Sequence, residues 1–140
     1  MRELVFSDAS AKQRLEAILH PRIRAATAAA AALAGGPYII FAIPLLVESG
    51  SWRTQLARVL VIDCPEELQV ARVMARNGLA ETQVRAIMAN QATRAQRLAV
   101  ADDIVTNTAG IDALRPQVAL LHANYLAFAE RMARLPMERL

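Results

Sequence analysis

The chain has 140 residues, of which 55% are hydrophobic and 21% charged, with a formal net charge of +3. That length suits a single domain around one core, and no run of about 18 strongly apolar residues marks membrane insertion. The single cysteine, Cys64, excludes an internal disulfide, and His20 and His122 are too remote from it for zinc-ligand spacing, so no structural metal is expected.

Met1 is followed by Arg2 and Glu3 without a secretory apolar segment, and the expected location is cytoplasmic. Lys12 is the only lysine, so nearly all positive charge is arginine, whose planar fork suits phosphate and carboxylate oxygens. Abundant alanine beside abundant arginine also fits a coding bias, and position must decide between the two.

Ser7 or Asp8 is the candidate cap of a helix with Leu15, Ile18 and Leu19 on one face. His20 and Pro21 are expected to interrupt it before a second segment from Ile23. The alanine-rich run from Ala25 to Ala34 continues in helix by propensity, and Gly35 with Gly36 ends it. Tyr38 to Ile43 is a continuous apolar run of strand length between Pro37 and Pro44, as in a strand buried on both faces. Pro44 to Trp52 follows as a loop or short helix at the carboxyl end of that strand, where open α/β sheets bind ligands, which places Glu48 on a candidate rim.

The stretch RVLVIDCPEELQVARVMARNGL, from Arg58 to Leu79, carries the strongest local signal. Val59 to Ile62 reads as a buried strand. Pro65 at the first helical position, Glu66 and Glu67 in the first turn and Gly78 past the end delimit a helix. Ala80 to Asn90 and Thr93 to Val100 read as two further helices, with Leu79, Val84, Ile87 and Met88 offered to the core. Ile104 to Thr106 is a third short strand. Leu114, Val118, Leu121, Tyr125, Phe128 and Met132 then recur at heptad spacing on a C-terminal helix over about residues 110–135, with Pro116 near its first turn. Strands alternating with helices predict an α/β fold with a three-stranded parallel sheet.

Arg72 and Arg76 sit four residues apart on one helix face with no acid at helical spacing, and Arg94 and Arg97 also lack one, although Asp102 or Asp103 can reach them through the fold. Arg85 differs, because Glu81 lies one turn before it. Four arginines without local partners, on helices that follow a strand end, suit an external anion such as a nucleotide phosphate; the competing account is a solvated basic face. The blander roles are a loop carboxylate for Glu48, a helix-entry residue for Asp63, a strand-entry cap for Asp102 or Asp103, a helix-end residue for His20 and a loop-closing side chain for Asn107.

Taken together, LEAILHPRIR (Leu15 to Arg24), PLLVESG (Pro44 to Gly50), the Arg58–Leu79 stretch, the series Gln91, Arg94, Arg97 and ADDIVTN (Ala101 to Asn107) resemble the dephospho-coenzyme A kinases. The resemblance covers essentially the whole chain and implies a partial P-loop-kinase-like parallel sheet in one domain over residues 1–140. It implies a helical acceptor-side region over about 1–36 and helices over about 66–100 that include a lid. The implied reaction transfers the γ-phosphate of ATP, with Mg2+, to the ribose 3′-hydroxyl of dephospho-coenzyme A. Position by position, it makes His20 and Glu48 acceptor-side residues, Arg76 the lid arginine that meets phosphate with Arg72 in support, Arg94 and Arg97 part of the lid, and Asn107 a neighbour of the adenine.

The family also implies a glycine-rich phosphate loop, and no G-x-x-x-x-G-K-S/T occurs among these residues. The expectation is therefore a truncated chain, inactive alone, binding ATP weakly or not at all, with unpaired strand edges that favour self-association. An alternative of a different class is a short paralogue that binds a coenzyme A-like ligand or a protein partner without catalysis. A nucleic-acid binder ranks last, since one lysine and 4% aromatic residues give little of the usual binding surface.

Overall fold

The computed structural model describes residues 8–50 and 52–134. The chain forms two compact units, Met1–Ile40 and Phe41–Leu140. Ser7, one of the two candidate caps, lies outside the described residues.

The first unit is built on α1 (Ala9–Leu33), which Asp8 caps by accepting bonds from the backbone N–H groups of Ser10 at 2.8 Å and Ala11 at 3.2 Å. The expected break at His20 and Pro21 does not occur, because Pro21 lies inside one continuous helix. A proline there removes only the bond to the Ala17 carbonyl, and the alanine-rich turns on its C-terminal side supply strong helix propensity. Of the expected apolar face, Leu15 is half-buried while Ile18 and Leu19 are exposed. Helix α1 ends just before Gly35 and Gly36, as its sequence predicts.

In the second unit, Phe41–Ile43 adopts no strand, and neither does the rest of the Tyr38–Ile43 run; among the described residues the three-stranded expectation is corrected to two. Apolar content suits a strand, but a strand exists only where a neighbouring backbone pairs with it. Helix α2 (Leu46–Ser49) lies within the Pro44–Trp52 stretch read as loop or short helix, and a 3-10 turn at Arg53–Gln55 follows just past it. Strand β1 (Leu60–Asp63) then pairs in parallel with β2 (Asp103–Thr106), in the register Leu60↔Asp103 to Asp63↔Thr106. Between the strands run α3 (Glu66–Asn77), α4 (Glu81–Met88) and α5 (Arg94–Ala99), and α6 (Ile111–Ala133) follows β2. This is an α/β arrangement with a two-stranded parallel sheet flanked by helices.

Helix α3 shows why its sequence was readable. Pro65 is its cap, one position before the first-turn place expected of it. At the other end Gly78 turns left-handed at φ 66° and donates its N–H to the Met74 carbonyl at 2.9 Å. A Cβ added at Gly78 would meet no atom within 4 Å, so the cost of Gly78→Ala is one of backbone conformation alone. That substitution is expected to lower the unfolding free energy by about 1 kcal/mol. A denaturant midpoint unchanged from the parent would show that the helix end relaxes without strain.

The core is small and made mostly of valines: Val59, Val70, Val84 and Val105 are buried, and Cys64 lies with them. Of the residues offered by α4, Val84 is buried but Ile87 is exposed. Helix α6 presents half-buried Leu114, Leu121, Tyr125 and Phe128, while Val118 and Met132 of the expected heptad face are exposed.

Helix α6 is tied to β2 by polar contacts as well. The Gln117 carboxamide accepts from Thr106 N at 2.9 Å and donates to Thr106 O at 3.1 Å, which imitates a neighbouring strand at that residue. At the amino ends of the strands, Arg58 forks onto the Asp103 carboxylate at 2.7 and 2.9 Å, and Tyr125 Oη donates to the same carboxylate at 2.9 Å. Asp102 accepts from Val59 N at 2.7 Å. The two aspartates thus fix where β2 begins, the entry role expected of them.

Candidate functional site

The carboxyl ends of β1 and β2 open onto a cleft of about 460 Å³, whose lining includes Asp63, Cys64, Arg72, Arg76, Arg97 and Asn107. The chain reaches this geometry simply. Strand β1 ends at Asp63, the Cys64–Pro65 turn starts α3, and one helix face of α3 carries Arg72 and Arg76 back over the strand ends. Asn107 follows β2 and extends the ladder by one bond, donating its backbone N–H to the Asp63 carbonyl at 2.8 Å.

Arg72 Nη1 donates to the Asn107 carbonyl at 2.8 Å and lies 3.6 Å from Cys64 Sγ. Arg76 Nε donates to Asn77 Oδ1 at 2.9 Å. Arg97 Nη1 donates to the Ala92 carbonyl at 2.8 Å. In each case one nitrogen of the guanidinium is fixed, and among the described residues the others make no hydrogen bond. Such half-anchored forks combine orientation with open donors, the condition for gripping a polyoxyanion.

Arg94 behaves differently from the expectation. It has no acid at helical spacing, as its sequence shows, but its Nε and Nη2 bind the two Asp63 oxygens at 2.7 and 2.6 Å through the fold. Asp102 and Asp103, the acids thought able to reach it, are engaged instead with Arg53 and Arg58. Asp63 is buried, and the Arg94 guanidinium holds its carboxyl below the usual carboxylate range. Asp63 is paired chiefly with Arg94 and acts more weakly, by charge alone, on Arg97, so the three arginines that line the cleft, Arg72, Arg76 and Arg97, leave it cationic.

The remaining candidates divide. Asn107 is in the cleft, but its backbone, rather than its side chain, makes the contacts expected of a loop-closing residue. Glu48 Oε1 accepts from Ala92 N at 2.7 Å, in the loop between α4 and α5. His20 is exposed on α1, in the Met1–Ile40 unit, and is not one of the residues of the cleft. Arg85 pairs with Glu81 at 2.8 Å, as its spacing predicts, and also with Glu67 of α3 at 2.7 Å, which pins α3 to α4.

Sequence reasoning missed the Asp63–Arg94 pair, since the two residues are 31 positions apart with no periodic relation. Among the described residues no three His, Cys, Asp or Glu side chains are grouped so as to hold a metal ion, and no helix is long and apolar enough to cross a membrane.

Comparison with known proteins places this geometry in a family. The family profile of dephospho-CoA kinase matches residues 1–113. A dephospho-CoA kinase from Burkholderia lata is 58% identical over 130 residues, covering 92% of this chain and 64% of that protein. One from Burkholderia thailandensis is 55% identical with the same coverage. The crystal structure of TT1252 from Thermus thermophilus superposes with a TM-score of 0.77 at 31% identity, over 87% of this chain and 63% of that one. The chain therefore spans a little under two thirds of the length of these relatives, and it belongs to the dephospho-CoA kinase family.

Proposed function

We propose that this chain supplies the phosphate-gripping and lid portion of a dephospho-coenzyme A kinase, which phosphorylates the ribose 3′-hydroxyl of dephospho-coenzyme A at the expense of ATP, the last step of coenzyme A synthesis. The observation that carries this reading is the convergence of Arg72, Arg76 and Arg97 on one cleft at the carboxyl ends of two parallel strands.

The cleft fits the phosphates of ATP, the group that provides the transferable phosphoryl. Arg76 would meet the phosphates with Arg72 and Arg97 beside it, their open guanidinium nitrogens neutralising oxygens that gain charge as the phosphoryl leaves. Arg72 does so while fixed to the Asn107 carbonyl, so the grip is aligned with the strand ends. Asp63 is a poor proton acceptor here, because both of its oxygens are bonded to Arg94 and its carboxyl is held below the usual range. Among the described residues no three His, Cys, Asp or Glu side chains are grouped to hold Mg2+ by themselves, and no step is assigned to it.

These 140 residues contain no phosphate loop, so the chain by itself is expected to bind ATP weakly and to transfer no phosphoryl group. The deciding experiment joins to this chain the strand, phosphate loop and following strand that the family resemblance implies, taken from a full-length dephospho-coenzyme A kinase, and assays ATP-dependent phosphorylation of dephospho-coenzyme A. Gain of activity supports the reading. A folded chimera with no gain, together with saturable dephospho-coenzyme A binding by the chain alone, would instead favour a ligand-binding paralogue without catalysis.

A further inference from the structure

Glu48 and Arg97 hold the two backbone groups of one residue. Glu48 Oε1 accepts from Ala92 N at 2.7 Å, and Arg97 Nη1 donates to Ala92 O at 2.8 Å. These groups belong to the peptide units on either side of the Ala92 Cα, so the two bonds together restrain both soft dihedrals of that residue. Ala92 is followed by Thr93, the cap of α5, whose hydroxyl accepts from Gln96 N at 3.1 Å while Gln96 Oε1 accepts from Thr93 N at 2.8 Å. One turn into α5, Arg97 reaches back to the Ala92 carbonyl and from there lines the cleft.

The family resemblance puts Glu48 at the rim of the acceptor pocket, as a ligand contact. The hydrogen bonds describe another task. One Glu48 oxygen is engaged by a protein N–H in a charge-assisted bond, a class roughly twice as strong as its neutral counterpart. The bond links α2, at the start of the second unit, to the loop that launches α5.

We propose, resting on the anion-gripping reading of the cleft, that Glu48 is a positioning residue for Arg97. By fixing the backbone at Ala92 it fixes the carbonyl that orients the Arg97 guanidinium, and the open nitrogens of that guanidinium are thereby presented to a phosphate group. Glu48 acts on the anion only through Arg97. Two consequences separate this from direct ligand contact. A carboxamide at position 48 retains an acceptor oxygen and preserves the arrangement, and once Arg97 is gone the identity of residue 48 ceases to matter to anion affinity.

The test uses the 140-residue chain, with pyrophosphate as probe and the Arg97 Nε–H signal followed by nuclear magnetic resonance. Glu48→Ala is expected to lower the heteronuclear Overhauser effect of Arg97 Nε–H to that of a freely solvated arginine side chain. It is expected to weaken pyrophosphate binding by about three- to tenfold, the loss of one oriented charged hydrogen-bonding group. Glu48→Gln should stay within about twofold of the parent in binding and keep the Arg97 signal ordered. The double variant Glu48→Ala, Arg97→Ala should bind no more weakly than Arg97→Ala alone. An ordered Arg97 in Glu48→Ala, a Glu48→Gln variant as weak as Glu48→Ala, or additive losses in the double variant would each overturn the proposal. A parent chain that binds no pyrophosphate overturns the anion reading of the cleft, and the Arg97 signal then judges the positioning of Arg97 by Glu48 by itself.

Discussion

Replacing Arg76 with alanine in the phosphate-loop chimera is expected to cut kcat by about 100- to 1,000-fold, the usual loss when one preorganised donor to a developing oxyanion is removed. The expectation rests on how Arg76 is held. It lies in the last turn of α3, where the helix dipole favours a cation, and its Nε is tied to Asn77 Oδ1 at 2.9 Å. The guanidinium is thus oriented before any ligand arrives, while Nη1 and Nη2 have no partner among the described residues. Arg76→Lys keeps the charge but loses the fork, so its kcat should fall between those of the parent and the alanine variant. Arg72→Ala should behave differently, lowering stability as well as rate, because Arg72 also ties α3 to the Asn107 carbonyl after β2. Steady-state kinetics of the three variants decide the matter. A raised KM with unchanged kcat for Arg76→Ala would mean that Arg76 binds ground state and transition state alike, and no change in either would remove it from the site.

Much of this site was legible because its scaffold is local. The β1–α3 unit declares itself through an apolar run, a proline, two acids and a glycine, and once α3 is placed, Arg72 and Arg76 must share a face. The pairing of Arg85 with Glu81 was equally readable, as a one-turn spacing. What stayed hidden is non-local. Nothing in the segment around Arg94 points to Asp63, and nothing around Glu48 points to Ala92, whose contribution is a backbone N–H that every residue but proline possesses. The apolar run Tyr38–Ile43 misled for a related reason, since burial and pairing are properties of a neighbour and hydropathy reports neither. Pro21 misled in the opposite way: a breaker by local rules, it is accommodated within a 25-residue helix.

The Arg58–Asp103–Tyr125 cluster, at the opposite ends of the strands from the cleft, yields the other large effect. Asp103→Ala is expected to lower the unfolding free energy of the second unit by about 2–3 kcal/mol at pH 7. The Asp103 side chain is only 15% exposed and accepts three bonds, two from Arg58 and one from Tyr125. Arg58 is 36% exposed and regains part of its hydration when the acid is lost, which keeps the cost below that of orphaning a fully buried charge.

The pH dependence has a fixed sign. Arg58 first, and Tyr125 after it, hold the Asp103 carboxyl below its ordinary value, so its contribution is complete above the unfolded-state pKa of about 3.9 and is lost as pH falls through the lower folded-state value. The gap between parent and Asp103→Ala should therefore be widest at neutral pH and narrow below about pH 4. Urea unfolding followed by the single tryptophan, Trp52, reads this directly, because Trp52 lies in the same unit as the cluster. A gap that stayed constant down to pH 3 would mean that Asp103 stabilises the strand entry by packing and backbone geometry, with no part for its charge.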